Sequence, residues 1–159
     1  MNIFATYECP VESAQVLDDK RVIKMILESA QLLWNVASLA GLESAYKPTH
    51  INHPCAVWVR QTRQNYDWLL QHFHALCSEY RQRYKKQHAC TKFSDAFYDN
   101  REIVPEIHLF PHPNCTPFKD MPVHEAYRKT LLEKWAVDKR EPTWYQQPLS
   151  DNERIYLFG

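Results

Sequence analysis

The stretch Asp18-Asp19-Lys20-Arg21-Val22-Ile23-Lys24-Met25-Ile26-Leu27-Glu28-Ser29-Ala30 decides the fold class of this chain. Two adjacent aspartates can accept hydrogen bonds from the free N–H groups at a helix start and complement its positive end. Behind them Val22, Met25, Ile26, Ser29, Leu33, Val36 and Ala40 recur at the 3-4 spacing of one buried helical face. Ile23, Leu27, Ala30 and Trp34 widen that stripe. The pattern predicts a long core helix from about residue 20 to 40, stopped by Gly41 at the C′ position.

Working outward, residues 2–9 read as a short extended lead, and Pro10 opens a brief helix over 11–17. On the other side, 42–51 read as a loop. Asn52 is a good N-cap, and Pro54 sits just inside the next helix. That helix continues or restarts near Gln64 and runs to about Gln87, with Tyr66, Leu69, Leu70, Phe73, Leu76, Cys77, Tyr80 and Tyr84 along one face. Pro105, Pro111, Pro113 and Pro117 break up 89–121 into a long packed loop with short helical turns. A final regular helix spans about 122–139, and an aromatic tail carries Trp144, Tyr145, Tyr156 and Phe158. The expected architecture is all-α: a compact single-domain helical bundle over residues 1–159, with a proline-rich loop and an aromatic C-terminal tail.

Composition narrows the function classes. Two glycines in 159 residues exclude glycine-rich phosphate loops and a Rossmann fingerprint. The formal net charge is zero, whereas most duplex-binding domains carry a positive excess. Five cysteines, none in a CxxC pair, read as reduced thiols in a cytoplasmic protein. No apolar run is long enough to span a membrane.

Candidate chemistry gathers in a few places. Arg21, Lys24 and Glu28 share one side of the first long helix. Glu28 falls between Leu27 and Ala30, so partial burial is expected; a carboxylate held beside cations can act as acid or base, or stabilise a developing cation. The bland alternative is a solvated Lys24–Glu28 pair. The segment 48–54, with His50 and His53, followed by Arg60 and Arg63, reads either as a phosphate or nucleotide grip or as a capping loop with surface arginines. His50/His53, His72/His74, His88/Cys90 and His108, His112, Cys115 do not match a zinc-ligand spacing, so no metal and no cofactor are expected. Trp144 and Tyr145, beside Arg140, either stack on bases or fold back onto the core.

The helix from Asp19-Lys20-Arg21 through Glu28, the His53-Pro54 helix start with its Leu/Tyr-rich continuation, and Pro142-Thr143-Trp144-Tyr145 occur in an order that resembles the pyrimidine dimer DNA glycosylases of the phage endonuclease V type. The resemblance implies a small all-helical fold and an enzyme that flips a nucleotide, attacks its sugar with an N-terminal amine, and relies on a helix glutamate. It assigns the glutamate role to Glu28, the amine to Asn2 after loss of Met1, and DNA contact to Arg21, Trp144 and Tyr145. Arg21 stands where the family has histidine. Asn2 is bulky for removal of Met1, and a retained Met1 would place the amine one residue further out. Lys24, Arg60 and Arg63 would hold phosphates, with His50 and His53 lining the pocket. The expected partner is DNA, with a free nucleotide as a further ligand and the host cytoplasm as the setting if the chain is phage-encoded. The alternative is a non-catalytic nucleotide, small-molecule or host-protein binder on the same fold.

Overall fold

The computed structural model describes residues 1–158, and helices dominate it. In chain order they are α1 (Pro10–Gln15), α2 (Asp19–Leu39), α3 (Pro54–Gln61), α4 (Arg63–Tyr84), α5 (Ser94–Asp99), α6 (Val123–Val137) and α7 (Asp151–Tyr156). A hairpin of β1 (Thr143–Trp144) and β2 (Gln147–Pro148) precedes α7. Short 3-10 turns at Ala89–Phe93 and Asn100–Ile103 flank α5, inside the segment expected to be irregular. No helix among the described residues is long and apolar enough to cross a membrane.

The central pair is α2 against α4, with α1 and α3 packed onto α4. Asp18 caps α2 by accepting from Arg21 N–H, and Gly41, at φ 75°, follows the last turn in the left-handed conformation expected of a C′ glycine. Val22, Met25, Ile26, Ser29, Leu33 and Val36 are buried as their spacing predicts. Ile23 and Leu27 are not: they are 39% and 42% exposed, so the apolar stripe is narrower than the sequence suggests and α2 offers these side chains to solvent.

Two features, the α3 cap and a helix in the tail, differ from expectation for physical reasons, and of the two readings of the segment after α3 the structure takes the restart. His53, not Asn52, caps α3: Pro54 occupies the first helical position, and the His53 ring Nδ1 accepts from Cys55 N–H at 3.1 Å. The helix then breaks at Thr62, whose extended backbone ends α3 while its hydroxyl accepts from Asn65 N–H to start α4. The tail holds a helix, α7, opened by a capping box between Ser150 and Glu153.

The C-terminal third is tied to the start of α2 by buried polar bonds. Trp135 Nε1 donates to Asp18 Oδ1 at 2.7 Å. Arg21 donates from both Nη atoms to Asp138, at 2.8 and 3.1 Å. Asp19 accepts from Arg83 (3.2 Å), Thr143 Oγ1 (2.7 Å), Tyr145 N (3.0 Å) and Gln146 N (2.7 Å). Tyr145 and Gln146 form a two-residue hairpin turn with φ of 50° and 64°, a left-handed pair that favours Gly and Asn. The Asp19 carboxylate, bound to both turn N–H groups, offsets that preference.

Candidate active site

Glu28 lies midway along α2 and does not pair with Lys24. Its Oε1 is 3.6 Å from the α-ammonium of Met1, with the Met1 and Glu28 side chains 2% and 15% exposed. The first residues reach this position because the chain lead is buried: Ile3, Phe4, Ala5 and Thr6 are all inside. Asn2 Oδ1 accepts from Ile3 N–H (2.7 Å) and Phe4 N–H (2.9 Å), closing a tight turn around Phe4, whose φ is 57°. Thus it is the Met1 amine that faces Glu28, while the Asn2 side chain shapes the turn.

The opposite wall comes from the loop before α3. Buried Asn35, two turns beyond Glu28 on α2, clamps Thr49: Nδ2 donates to its carbonyl (2.8 Å) and Oδ1 accepts from its N–H (3.0 Å). His50 then turns through a left-handed φ of 50°, and His53 N–H donates to the His50 carbonyl at 2.9 Å. Arg60 donates to the Ile51 carbonyl, fixing the loop from α3. Burial first, then the charges of the α-amine and His50, push the His53 imidazole below its usual value, with Glu28 opposing. Those influences gather Met1, Glu28, His50 and His53 into one electrostatic neighbourhood.

Behind His53 lie two thiols. Cys55 Sγ and Cys115 Sγ are 3.9 Å apart, and Cys115 N–H donates to the Tyr127 hydroxyl at 3.3 Å. Of the pair, Cys115 is the acidic member: the hydrogen bond from Cys55 lowers its pKa most, helped by Tyr127, Lys119 and the α-amine.

An α-amine beside a carboxylate, within the electrostatic reach of an imidazole, is a recognisable nucleophile arrangement, and the chain carrying it is matched over residues 1–92 by the family model for pyrimidine dimer DNA glycosylase. The chain belongs to that family. Membership points to a DNA glycosylase-type function with DNA as the class of substrate. No curated protein and no solved structure matches this family member.

The remaining residues singled out in sequence are scattered over this family member. Lys24 is exposed on the outer face of α2, between exposed Ile23 and Leu27. Arg63, at the start of α4, donates to the well-exposed Glu102 at 3.3 Å. Arg21 is held by Asp18 and Asp138, so its charge is already balanced. Trp144 is buried, donates to the Val16 carbonyl at 2.9 Å and lies edge-on to Trp135. The Tyr145 hydroxyl reaches Glu79 at 3.2 Å, beneath the Arg83 guanidinium. Trp144 therefore closes the core, whereas Tyr145, 49% exposed, lies on its surface in the hairpin turn. Cavities of about 550 Å³ beside Tyr7, Glu12 and Arg128 and about 460 Å³ beside Trp68, Phe110 and His112 lie elsewhere. The amine–carboxylate pair lines neither. The sequence raises the Met1 amine and Cys115 without their partners, because tertiary folding brings Met1 to Glu28 and Cys115 to Cys55.

Proposed function

We propose that this protein is a base-removing DNA glycosylase, with lyase capability, in which the α-amine of Met1 is the nucleophile and Glu28 the catalytic carboxylate. The reading rests on one observation: the ammonium and Glu28 Oε1 stand 3.6 Å apart with little exposure of either side chain. In such a site a carboxylate interacts far more strongly with a cation than it does in water.

The chemistry follows from those two groups. The amine attacks C1′ of a flipped nucleotide only as the neutral base, so its proton must first leave. Glu28 is the nearest acceptor, and His50 and His53 share its electrostatic neighbourhood. As the N–C1′ bond forms, the bond from C1′ to the base breaks and its electron pair leaves with the base. Glu28 then faces positive charge developing at the sugar, which it stabilises. Ring opening gives an imine between Met1 and C1′. Removal of a C2′ proton expels the 3′ phosphate by β-elimination, and hydrolysis of the imine frees the amine.

DNA would lie over the outer face of α2. Lys24 offers a cation there, and Ile23 and Leu27 offer apolar surface of the kind that wedges between bases. Arg60, Arg63 and His50 extend the surface towards the start of α3 and α4. Arg21, Trp144 and Tyr145 contribute indirectly, by fixing the N-terminal end of α2.

The test is borohydride trapping on duplexes bearing a pyrimidine dimer or an abasic site. Wild-type protein should form a covalent adduct mapping to Met1. Glu28→Gln should lower turnover by about 10²–10⁴-fold, the usual contribution of a positioned acid–base group, with the fold intact. Full turnover in Glu28→Gln would overturn the mechanism. The zero net charge favours a second reading, a non-catalytic nucleotide binder. Thermal stabilisation by free nucleotide without adduct formation or base release would select it.

A further inference from the structure

We infer that His53, Cys55 and Cys115 form a binding site for a thiophilic divalent cation, with zinc the best match. One potential ligand atom from each residue lies within 4.8 Å of the other two. The sulfur pair is the more telling measure. Two Zn–S bonds of about 2.3 Å at the tetrahedral angle put the sulfurs about 3.8 Å apart; here they are 3.9 Å apart. A disulfide would require them to close to about 2.05 Å. Two thiolates with one imidazole select zinc over magnesium or calcium, which prefer oxygen ligands.

The surroundings suit the role. Cys55 is 1% exposed and fixed in the first turn of α3. Cys115 comes from the proline-rich loop, where Tyr127 accepts its N–H and donates to the Pro113 carbonyl at 2.8 Å, so loop and α6 hold the thiol in place. His53 Nδ1 now caps α3, and ligation exchanges that hydrogen bond for a coordinate bond. Three protein ligands leave a fourth tetrahedral position open to water. Binding releases the thiol protons to solvent as the Zn–S bonds form. Cys115 lies outside the segment that the family model matches, so the site combines two family-matched ligands with one from the C-terminal part.

The site does not depend on glycosylase activity, and its test does not use it. The full-length reduced protein is titrated with Zn²⁺ against a chromophoric chelator, and with Co²⁺ while the thiolate-to-cobalt charge-transfer band is recorded. Expected results are one ion per chain, a clear thiolate band, and protection of both thiols from alkylation by zinc. Cys115→Ser should lose the band's full intensity and weaken zinc at least tenfold. His53→Asn retains a side chain able to cap α3, so it should fold as wild type, verified by thermal melting, while also binding zinc at least tenfold more weakly. Zinc affinity unchanged in both variants, or alkylation of Cys115 at the same rate with and without zinc, would overturn the proposal.

Discussion

Replacement of Asp19 by Asn probes the joint between the start of α2 and the C-terminal hairpin. The wild-type carboxylate is almost completely buried and accepts from four donors, one of them the fully buried Arg83 guanidinium. Asparagine keeps the size but presents a single acceptor oxygen, and its NH2 must face groups that also donate. Arg83 would then have Glu79 as its sole carboxylate partner. Breaking a buried ion pair from one side costs about 3–5 kcal/mol. For a chain of this length each kcal/mol shifts Tm by about 2–4 °C, giving an expected fall of roughly 6–20 °C. Urea unfolding followed by far-UV circular dichroism and by tryptophan fluorescence measures the loss, since Trp135 and Trp144 both sit at this joint. Proteolysis near Tyr145–Gln147 should accelerate as well, because the left-handed turn loses the acceptor for its N–H groups. A loss no greater than the ±0.5 kcal/mol or so of an ordinary surface substitution would refute the reasoning.

Other outcomes follow from single residues. Lys24→Ala should weaken binding to all DNA sequences alike and reduce the salt slope by about one, as expected for loss of one phosphate contact; an unchanged slope would remove Lys24 from the interface. His72 is buried against the Pro10 carbonyl, and burial lowers its pKa to about 4. With the folded value depressed below the unfolded value of about 6.5, the unfolded chain takes up the proton first. Its contribution is therefore complete above that unfolded value, falls as pH drops towards about 4, and amounts to about 3 kcal/mol. Denaturant titrations of wild type and His72→Gln at pH 7 and pH 4.5 should differ in their pH dependence by that order; parallel curves would exclude His72 as the source.

Much of the helical plan was legible because α2 and α4 carry strong periodicity. The misassignments have definite causes. Ile23 and Leu27 are apolar and adjacent to the buried stripe, yet nothing packs over them, which periodicity alone does not report. Asn52 is a better intrinsic cap than histidine, but Pro54 fixes where the helix starts and leaves the capping position to His53. The capping box at Ser150–Glu153 was present in the sequence, hidden in a stretch read as tail. Glu28 drew notice for its place beside apolar positions. Its partner, the N-terminal amine, is reached from sequence only through the family resemblance, which places it on Asn2, since an α-amine carries no residue signature and its position depends on the burial of Ile3 to Thr6. Cys115 reaches Cys55 across sixty positions of chain, a distance that spacing rules for metal ligands do not cover.

The polar ties from Asp18, Asp19 and Arg21 into residues 135–146 have an evolutionary consequence. A fragment ending near residue 92 would keep the Asp19–Arg83 and Asp18–Arg21 pairs but lose Trp135, Asp138, Thr143 and the hairpin N–H groups that complete them, beside a bared apolar face. The family-matched half is thus no portable module that gene fusion could transplant by itself. The acidic start of α2 and the end of the chain are instead joined as one folding unit.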